Sequence, residues 1–189
     1  RDVHTTLLEG QMFQGMEVCN GETYFPTAHR WCLEKNLTML GNSDIHSPDL
    51  RTASSCADHR TMTLVFAKEK TKEAVHEALS AGRTAVWYKD QLIGRSEYLE
   101  PLFQQSVSIT KTVRQGKRTW VQISNQCACD MHLEKKGGNG PATISIPACS
   151  TVLVRVSTDT PDTPLDLRYT ATNLLIAPDT GLPVTLTTP

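Results

Sequence analysis

The sequence lacks the features that mark several large classes of protein. None of its hydrophobic runs approaches the ~20 apolar residues that a membrane-spanning helix requires. Charge of one sign is not in excess either, because 19 Lys and Arg residues are balanced by 20 Asp and Glu residues. Such a near-neutral chain gives no reason to expect nucleic acid or an anionic membrane surface as a partner.

The six cysteines do not follow the spacing of a zinc ribbon or a zinc knuckle. The tightest pair is Cys127 and Cys129, whose side chains would share one face of a strand and so could share a ligand. We favour the alternative that both are small apolar core residues. An even number of cysteines permits disulfides without requiring them, so the redox compartment stays open.

Residues 1–103 alternate between helical and strand patterns. Helices are predicted over residues 3–14, 26–36 and 71–82, with Gly15 as the C-terminal cap of the first, and strands over 16–20, 37–40, 61–67 and 84–88. Strands separated by helices predict parallel βαβ units, as in an open α/β sheet or a barrel. Since three helices and four strands are too few to close a barrel, we interpret this half as the terminal arc of a larger one.

Residues 104–189 follow a different pattern. Short β-rich runs cover residues 106–113, 119–124, 127–134, 142–146, 151–157, 166–173 and 184–187, and Gly, Pro, Asn and Asp separate them. This spacing predicts an antiparallel β-sandwich of immunoglobulin-like size. Titratable groups do not cluster there, which favours a structural or docking role over a catalytic one.

Asp44 and His46 follow the predicted strand 37–40, in the run Gly-Asn-Ser-Asp-Ile-His that starts at Gly41. In extended chain both side chains leave the same face, with Cα atoms about 6–7 Å apart. This spacing lets a carboxylate and an imidazole bind neighbouring ions in a cluster that activates water and holds a phosphoryl group. By spacing alone, the pattern fits better a turn in which Asp44 caps a backbone amide and His46 is exposed before Pro48.

The same run resembles the last metal-binding motif of the PHP (polymerase and histidinol phosphatase) superfamily, whose usual form is Gly-Ser-Asp-x-His. The elements on either side of the motif also follow the family's order. Residues 15–21 look like the preceding barrel strand, and residues 61–84 look like the closing strand–helix–strand. More narrowly, about residues 10–100 are similar to bacterial PHP-type phosphodiesterases with an appended β-sandwich. The resemblance implies an α/β plus all-β fold: a terminal arc of a PHP-type (β/α)7 barrel over residues 1–103, and an antiparallel immunoglobulin-like β-sandwich over residues 104–189.

The resemblance also implies a function, with Asp44 and His46 as ligands in a site of two or three zinc, manganese or iron ions. The substrate would be a phosphate ester, most naturally a phosphodiester. The family's other ligands include an early His-x-His motif, which is not in this sequence, so we expect most ligands to precede Arg1 and the 189 residues alone to be inactive. Exported bacterial relatives favour a periplasmic or secreted location, with a cytoplasmic one as the alternative.

Other polar residues are weighed by their position in the predicted strands. Glu17 within one strand and Asn20 at its end are candidates to contact the metal ligands and hold them in position, without binding the metal themselves. Asn20-Gly21 also fits a plain turn. We leave His59, Arg60 and Arg83 out of the site, because residues that precede parallel strands would lie at the opposite edge.

The remaining candidates give no catalytic residue. Lys89 and Asp90 follow a strand, but a solvated loop is the favoured interpretation. The four histidines without a partner nearby in sequence are expected at the surface or half-buried: His4, His29, His76 and His132. A Gly-x-Ser-x-Gly elbow does not occur, which argues against a serine nucleophile.

A second hypothesis is non-catalytic. In it, the chain belongs to a binding or interaction protein whose β-sandwich contacts the partner, and the α/β part is a degenerate scaffold. The metal content of the intact protein distinguishes this hypothesis from the enzyme.

Overall fold

The computed structural model describes residues 2–48, 59–116, 118–157 and 164–187. The helices are α1 (Asp2–Glu9), α2 (Pro26–Glu34), α3 (Lys72–Ser80) and α4 (Ser96–Ser106). The strands are β1 (Gly15–Asn20), β2 (Thr23–Tyr24), β3 (Thr38–Asn42), β4 (Met62–Val65), β5 (Thr84–Tyr88), β6 (Gln91–Gly94), β7 (Val107–Gln115), β8 (Arg118–Asn125), β9 (Met131–Gly138), β10 (Thr143–Ile146), β11 (Ser150–Ser157), β12 (Leu167–Ala177) and β13 (Thr180–Thr185). Within these residues, no helix has the length and apolar character needed to cross a membrane.

The first strands form a three-stranded sheet in the order β2-β1-β3, with β1 and β3 parallel. Helix α2 connects the two parallel strands and begins at Pro26, where the missing N–H of proline costs the helix nothing. It buries His29 and Cys32 and ends before Asn36, which adopts a left-handed conformation (φ 52°). The predicted parallel unit over residues 16–40 is therefore confirmed.

Strand β4 corrects the prediction of parallel βαβ units throughout the first half. It pairs with β5 in antiparallel register, from Met62 opposite Trp87 to Val65 opposite Thr84. Helix α3 lies between them and begins as predicted, because the Thr71 side chain accepts a hydrogen bond from the Ala74 N–H at 3.2 Å. The chain therefore reverses direction across α3 instead of crossing over to a parallel neighbour.

The remaining strands form two facing sheets. One is seven-stranded: six strands follow the order β10-β9-β12-β6-β5-β4, and the seventh, β13, also pairs with β12. The other sheet has the order β11-β8-β7. Side chains such as Val121, Ile123 and Leu133 fill the space between the sheets. Each of the seven strands predicted after residue 104 is present, and the mostly β architecture fits an immunoglobulin-like sandwich.

The seven-stranded sheet passes across the predicted boundary between residues 103 and 104. Strand β6 precedes that boundary and pairs in parallel with β12, with Leu92 opposite Leu174 and Ile93 opposite Leu175. Neither β6 nor the adjoining helix α4 was predicted from the sequence. The division at residue 103 and the barrel arc remain predictions. The sequence did not predict that one sheet would contain strands from both sides of that division.

Two local predictions were wrong. Helix α1 ends at Glu9 instead of Gln14, because Gln11 turns left-handed (φ 53°) and Met12 donates its N–H to the Leu7 carbonyl, which closes the helix as a Schellman-type cap. The cysteine pair lies in a bend before β9 and not in a strand, with Cys129 buried and Cys127 half-buried. Cys56 lies outside the described residues.

Candidate functional site

The carboxyl ends of β1, β3 and β5 meet at one edge of the α/β part. The Gly21 N–H donates to the Asn42 carbonyl at 2.8 Å, which joins the ends of β1 and β3. The Tyr88 hydroxyl, at the end of β5, donates to the Glu22 carbonyl at 2.6 Å. These three strand ends therefore define a common surface, which we call the carboxyl edge, and it is where an α/β architecture places ligand-binding side chains.

Gly41 brings β3 close to its neighbours just before the Asp44–His46 segment. Its N–H and carbonyl are both hydrogen-bonded to the Thr63 hydroxyl, each at 2.9 Å. A Cβ atom at this position would overlap the fully buried Val86 side chain and lie 3.3 Å from the Thr61 methyl carbon. Only glycine allows this approach, so Gly41 fixes where the following segment leaves the sheet.

We expect Gly41→Ala to destabilise the fold by about 2 kcal/mol, because Val86 is β-branched and has no room to move aside. Urea unfolding of Gly41→Ala, Val86→Ala and the double variant measures this effect. The cavity left by Val86→Ala should accept the new methyl group, so the double variant should be more stable than the sum of the single effects predicts. Additive effects would contradict the proposed clash.

Asp44 and His46 lie together at the carboxyl edge. Asp44 adopts a left-handed conformation (φ 52°), which aspartate tolerates better than most residues. The Asp44 Oδ1 atom is 3.4 Å from the His46 Nε2 atom, and the two side chains are 57% and 85% exposed. The structure thus brings these two predicted ligands into contact and leaves both accessible from solvent.

Glu17 and Asn20 lie at the same edge, beneath the segment that carries Asp44. One Glu17 carboxylate oxygen accepts a hydrogen bond from the Asn20 amide at 3.0 Å, and the other accepts one from the Asn42 amide. Glu17 is therefore held by two amide donors. The sequence-based interpretation missed Asn42, although the parallel register that places Asn42 opposite Asn20 would have indicated it.

The reason for leaving His59 and Arg60 out of the site was wrong. Because β4 runs antiparallel to β5, the chain before β4 lies at the carboxyl edge, and the Thr61 hydroxyl donates to the Gly21 carbonyl at 2.6 Å. The His59 ring is nevertheless engaged elsewhere: its nitrogens lie 2.8 Å from the Arg60 carbonyl and 2.9 Å from the Lys89 carbonyl. The ring also packs on Trp87, with centroids 3.9 Å apart.

The other excluded residues lie where they were expected. Arg83 is at the opposite edge, where it donates to the Phe66 carbonyl at 3.2 Å and pairs with Glu77. Lys89 and Asp90 form an exposed turn after β5.

His29 does not fit the prediction of a surface or half-buried histidine, because its side chain is fully buried. Its Nδ1 atom is 2.8 Å from the Tyr24 hydroxyl, and its Nε2 atom has no hydrogen-bond partner within the described residues. Burial, followed by the positive charge of Arg95, lowers the pKa of His29 to about 4. A neutral histidine inside the core therefore supports the fold and takes no part in the carboxyl edge.

The donor atoms present suit a divalent transition metal only in part. A carboxylate oxygen and an imidazole nitrogen are ordinary zinc, manganese or iron ligands. In the parts of the chain that the structure describes, the carboxyl edge included, no group of three His, Cys, Asp or Glu side chains could hold a metal ion. Asp44 and His46 thus offer two donor atoms, which is fewer than a coordination shell needs.

The fold places the chain in the class of mostly β proteins with an immunoglobulin-like sandwich, and residues 106–187 match the family model DUF5001, described as an Ig-like domain. Among solved structures, the chain resembles a two-domain protein from Bacteroides vulgatus ATCC 8482 that contains a predicted PHP-like metal-dependent phosphoesterase. The two are 34% identical with a TM-score of 0.88, over 97% of this chain and 55% of that chain. This chain thus spans about half the length of that relative. No curated protein matches it.

Proposed function

We propose that this chain forms the C-terminal part of a metal-dependent phosphoester hydrolase, with Asp44 and His46 as metal ligands. The observation that carries the proposal is the contact between these two side chains at the carboxyl edge. The likeness to a solved protein with a predicted PHP-like phosphoesterase supports the same reaction class. In this proposal residues 1–103 are the terminal arc of a PHP-type barrel, and residues 104–189 are the appended sandwich.

The separation of the two donor atoms supports a shared ion. Two ligands about 2.0–2.2 Å from a tetrahedral metal lie roughly 3.3–3.5 Å apart. The 3.4 Å between Asp44 Oδ1 and His46 Nε2 falls in that range. The proposal requires further ligands from outside the described residues, because two donors do not complete a shell.

Glu17 and Asn20 are assigned a supporting role. Because each of its carboxylate oxygens already accepts a hydrogen bond from an amide donor, we assign Glu17 no direct bond to the metal. Instead it holds Asn42, two residues before Asp44, and so limits where the ligand-bearing segment can move. Groups that hold metal ligands in this way commonly alter metal affinity or activity by about 10–100-fold.

The substrate proposed is a small phosphate ester, and a phosphodiester is favoured. Two or three zinc, manganese or iron ions would lower the pKa of water and neutralise charge on the phosphoryl oxygens. The part of this chain is to present the Asp44 carboxylate and the His46 imidazole at an accessible edge, in an orientation that Gly41 and Glu17 fix.

Metal content of the intact protein tests the proposal. Elemental analysis after purification without chelators should give at least one transition-metal ion per chain, and the Asp44→Ala/His46→Ala double variant should lose at least one of the ions. Fewer than one ion per chain in the unmodified protein would favour the non-catalytic hypothesis.

A matched control comes from a second acid–imidazole pair. Asp90 Oδ2 lies 3.8 Å from His132 Nε2, and both side chains are partly exposed. The Asp90→Ala/His132→Ala variant removes the same chemical groups and should keep its full metal content. Equal loss in both double variants would mean that the Asp44–His46 pair is not a specific site.

A further inference from the structure

The outward side of the β11-β8-β7 sheet is an accessible surface, which we call the outer face. In β8 the residues alternate strictly between buried and partly exposed, and Val121 and Ile123 point into the core. The residues that alternate with them, Trp120 and Gln122, therefore point outward. Strands β7 and β11 pair with β8 along its whole length, so their alternate residues complete the same face.

An indole ring lies on the central strand of the outer face, with two aliphatic side chains and one cation near it. The register places Trp120 opposite Val113 on one side and Arg155 on the other. Leu153 lies opposite Gln122 in the next row. Val113 is 47% exposed and Leu153 is 64% exposed, so both are accessible to a ligand on this face.

The charges on the outer face all have one sign. Lys111, Arg118 and Arg155 point outward and are exposed, and none of the outward positions of the three strands is Asp or Glu. The other outward side chains are Ser, Thr and Gln, among them Ser124 and Thr151, whose hydroxyls are 3.3 Å apart. Since the whole chain has a formal net charge of -1, this positive surface is a local feature.

We propose that the outer face binds an acidic polysaccharide. Pyranose rings have an apolar C–H side that can pack on the Trp120 indole, and their hydroxyls match the Ser, Thr and Gln side chains. Uronate or sulfate groups along the polymer match Lys111, Arg118 and Arg155. An acidic peptide would satisfy the charges but not the row of hydroxyl-binding side chains, and a neutral glucan would leave the cations without partners.

The test measures binding of the whole chain to four polymers: polygalacturonate, chondroitin sulfate, neutral dextran and oligothymidylate. At least one of the two acidic polysaccharides should bind about tenfold or more tightly than dextran and oligothymidylate, and added salt should weaken that binding. Trp120→Ala and the triple variant Lys111→Gln/Arg118→Gln/Arg155→Gln should each lower the affinity by about tenfold or more.

Two further variants make the test specific. Lys68→Gln/Lys70→Gln/Lys72→Gln removes the same charge from an exposed region outside the outer face and should leave the affinity unchanged. Leu153→Glu puts a carboxylate on the outer face at a position that is not packed in the core, so it should weaken binding without changing the unfolding midpoint.

Three outcomes would overturn the proposal. The first is that neither acidic polysaccharide binds. The second is that oligothymidylate binds as tightly, which would show attraction by charge alone, and the third is that the Lys68/Lys70/Lys72 variant loses as much affinity as the outer-face variant. The metal content of the protein enters none of these measurements, so the result is independent of the proposed hydrolase.

Discussion

Replacing Asp44 or His46 with alanine in the intact protein should lower phosphodiester hydrolysis by at least about 100-fold. A lost metal ligand removes several kcal/mol of transition-state stabilisation, and each 1.4 kcal/mol corresponds to about a factor of ten in rate. Both side chains are exposed and contact each other, so neither substitution leaves a cavity in the core. Hydrolysis of bis(p-nitrophenyl) phosphate in the presence of added zinc, manganese or iron measures the effect.

The Asp90→Ala/His132→Ala variant is the control for this experiment, because it removes a comparable pair that is not among the proposed ligands. It should keep the activity of the unmodified protein. Glu17→Gln should fall between the two, with a loss of about 10–100-fold, since it disturbs the support of the ligand segment but not the ligands. Unchanged hydrolysis in both Asp44→Ala and His46→Ala would refute the site assignment.

Acidification should destabilise the protein through His29 by about 3 kcal/mol between pH 7 and pH 4. The unfolded chain has a histidine pKa near 6.5, whereas burial lowers the pKa of His29 in the folded protein to about 4. Above pH 6.5 the imidazole is neutral in both states and contributes no pH dependence. As the pH falls from 6.5 to 4, the unfolded state takes up a proton that the folded state does not, so stability is lost in that window.

Urea unfolding at several pH values measures this loss, and carboxylates elsewhere add their own pH dependence. The comparison is therefore between the unmodified protein, His29→Gln and His76→Asn. His29→Gln should flatten the dependence between pH 6.5 and 4, while His76→Asn, which removes an exposed histidine of α3, should not. Identical slopes in all three proteins would show that His29 does not titrate as described, and an NMR titration of its ring checks the pKa directly.

The existence of most strands could be predicted because each carries its signal locally. In β8 the residues Thr119, Trp120, Val121 and Ile123 are all strand formers, and the predicted range 119–124 differs by one residue at each end from Arg118–Asn125. Strand β6 lacked such a signal: it is four residues long and follows a two-residue turn of Lys89 and Asp90, which is not one of the usual hairpin pairs. Helix α4 contains Pro101, which argues against a helix when only the sequence is read.

The direction of β4 could not be predicted, and this affected the candidate site. A helix between two strands is compatible with a parallel or an antiparallel neighbour, and the choice is made by pairing with β5, which is a tertiary contact. His59 was consequently placed at the wrong edge. The sequence placed Asp44 and His46 just after β3, where the structure has them, whereas their role as metal ligands rests on the family resemblance and stays a prediction.

The pairing of β6 with β12 has a consequence for how the two proposed binding surfaces relate to each other. Many enzymes bring two binding regions together by rotation about a linker whose few dihedral angles change. Here the α/β part and the sandwich share a hydrogen-bonded sheet, so such a rotation would have to break β-ladder pairs. The outer face and the carboxyl edge are thus held at a constant separation. Binding at one of them therefore cannot bring the two surfaces closer together by rotation of the two parts.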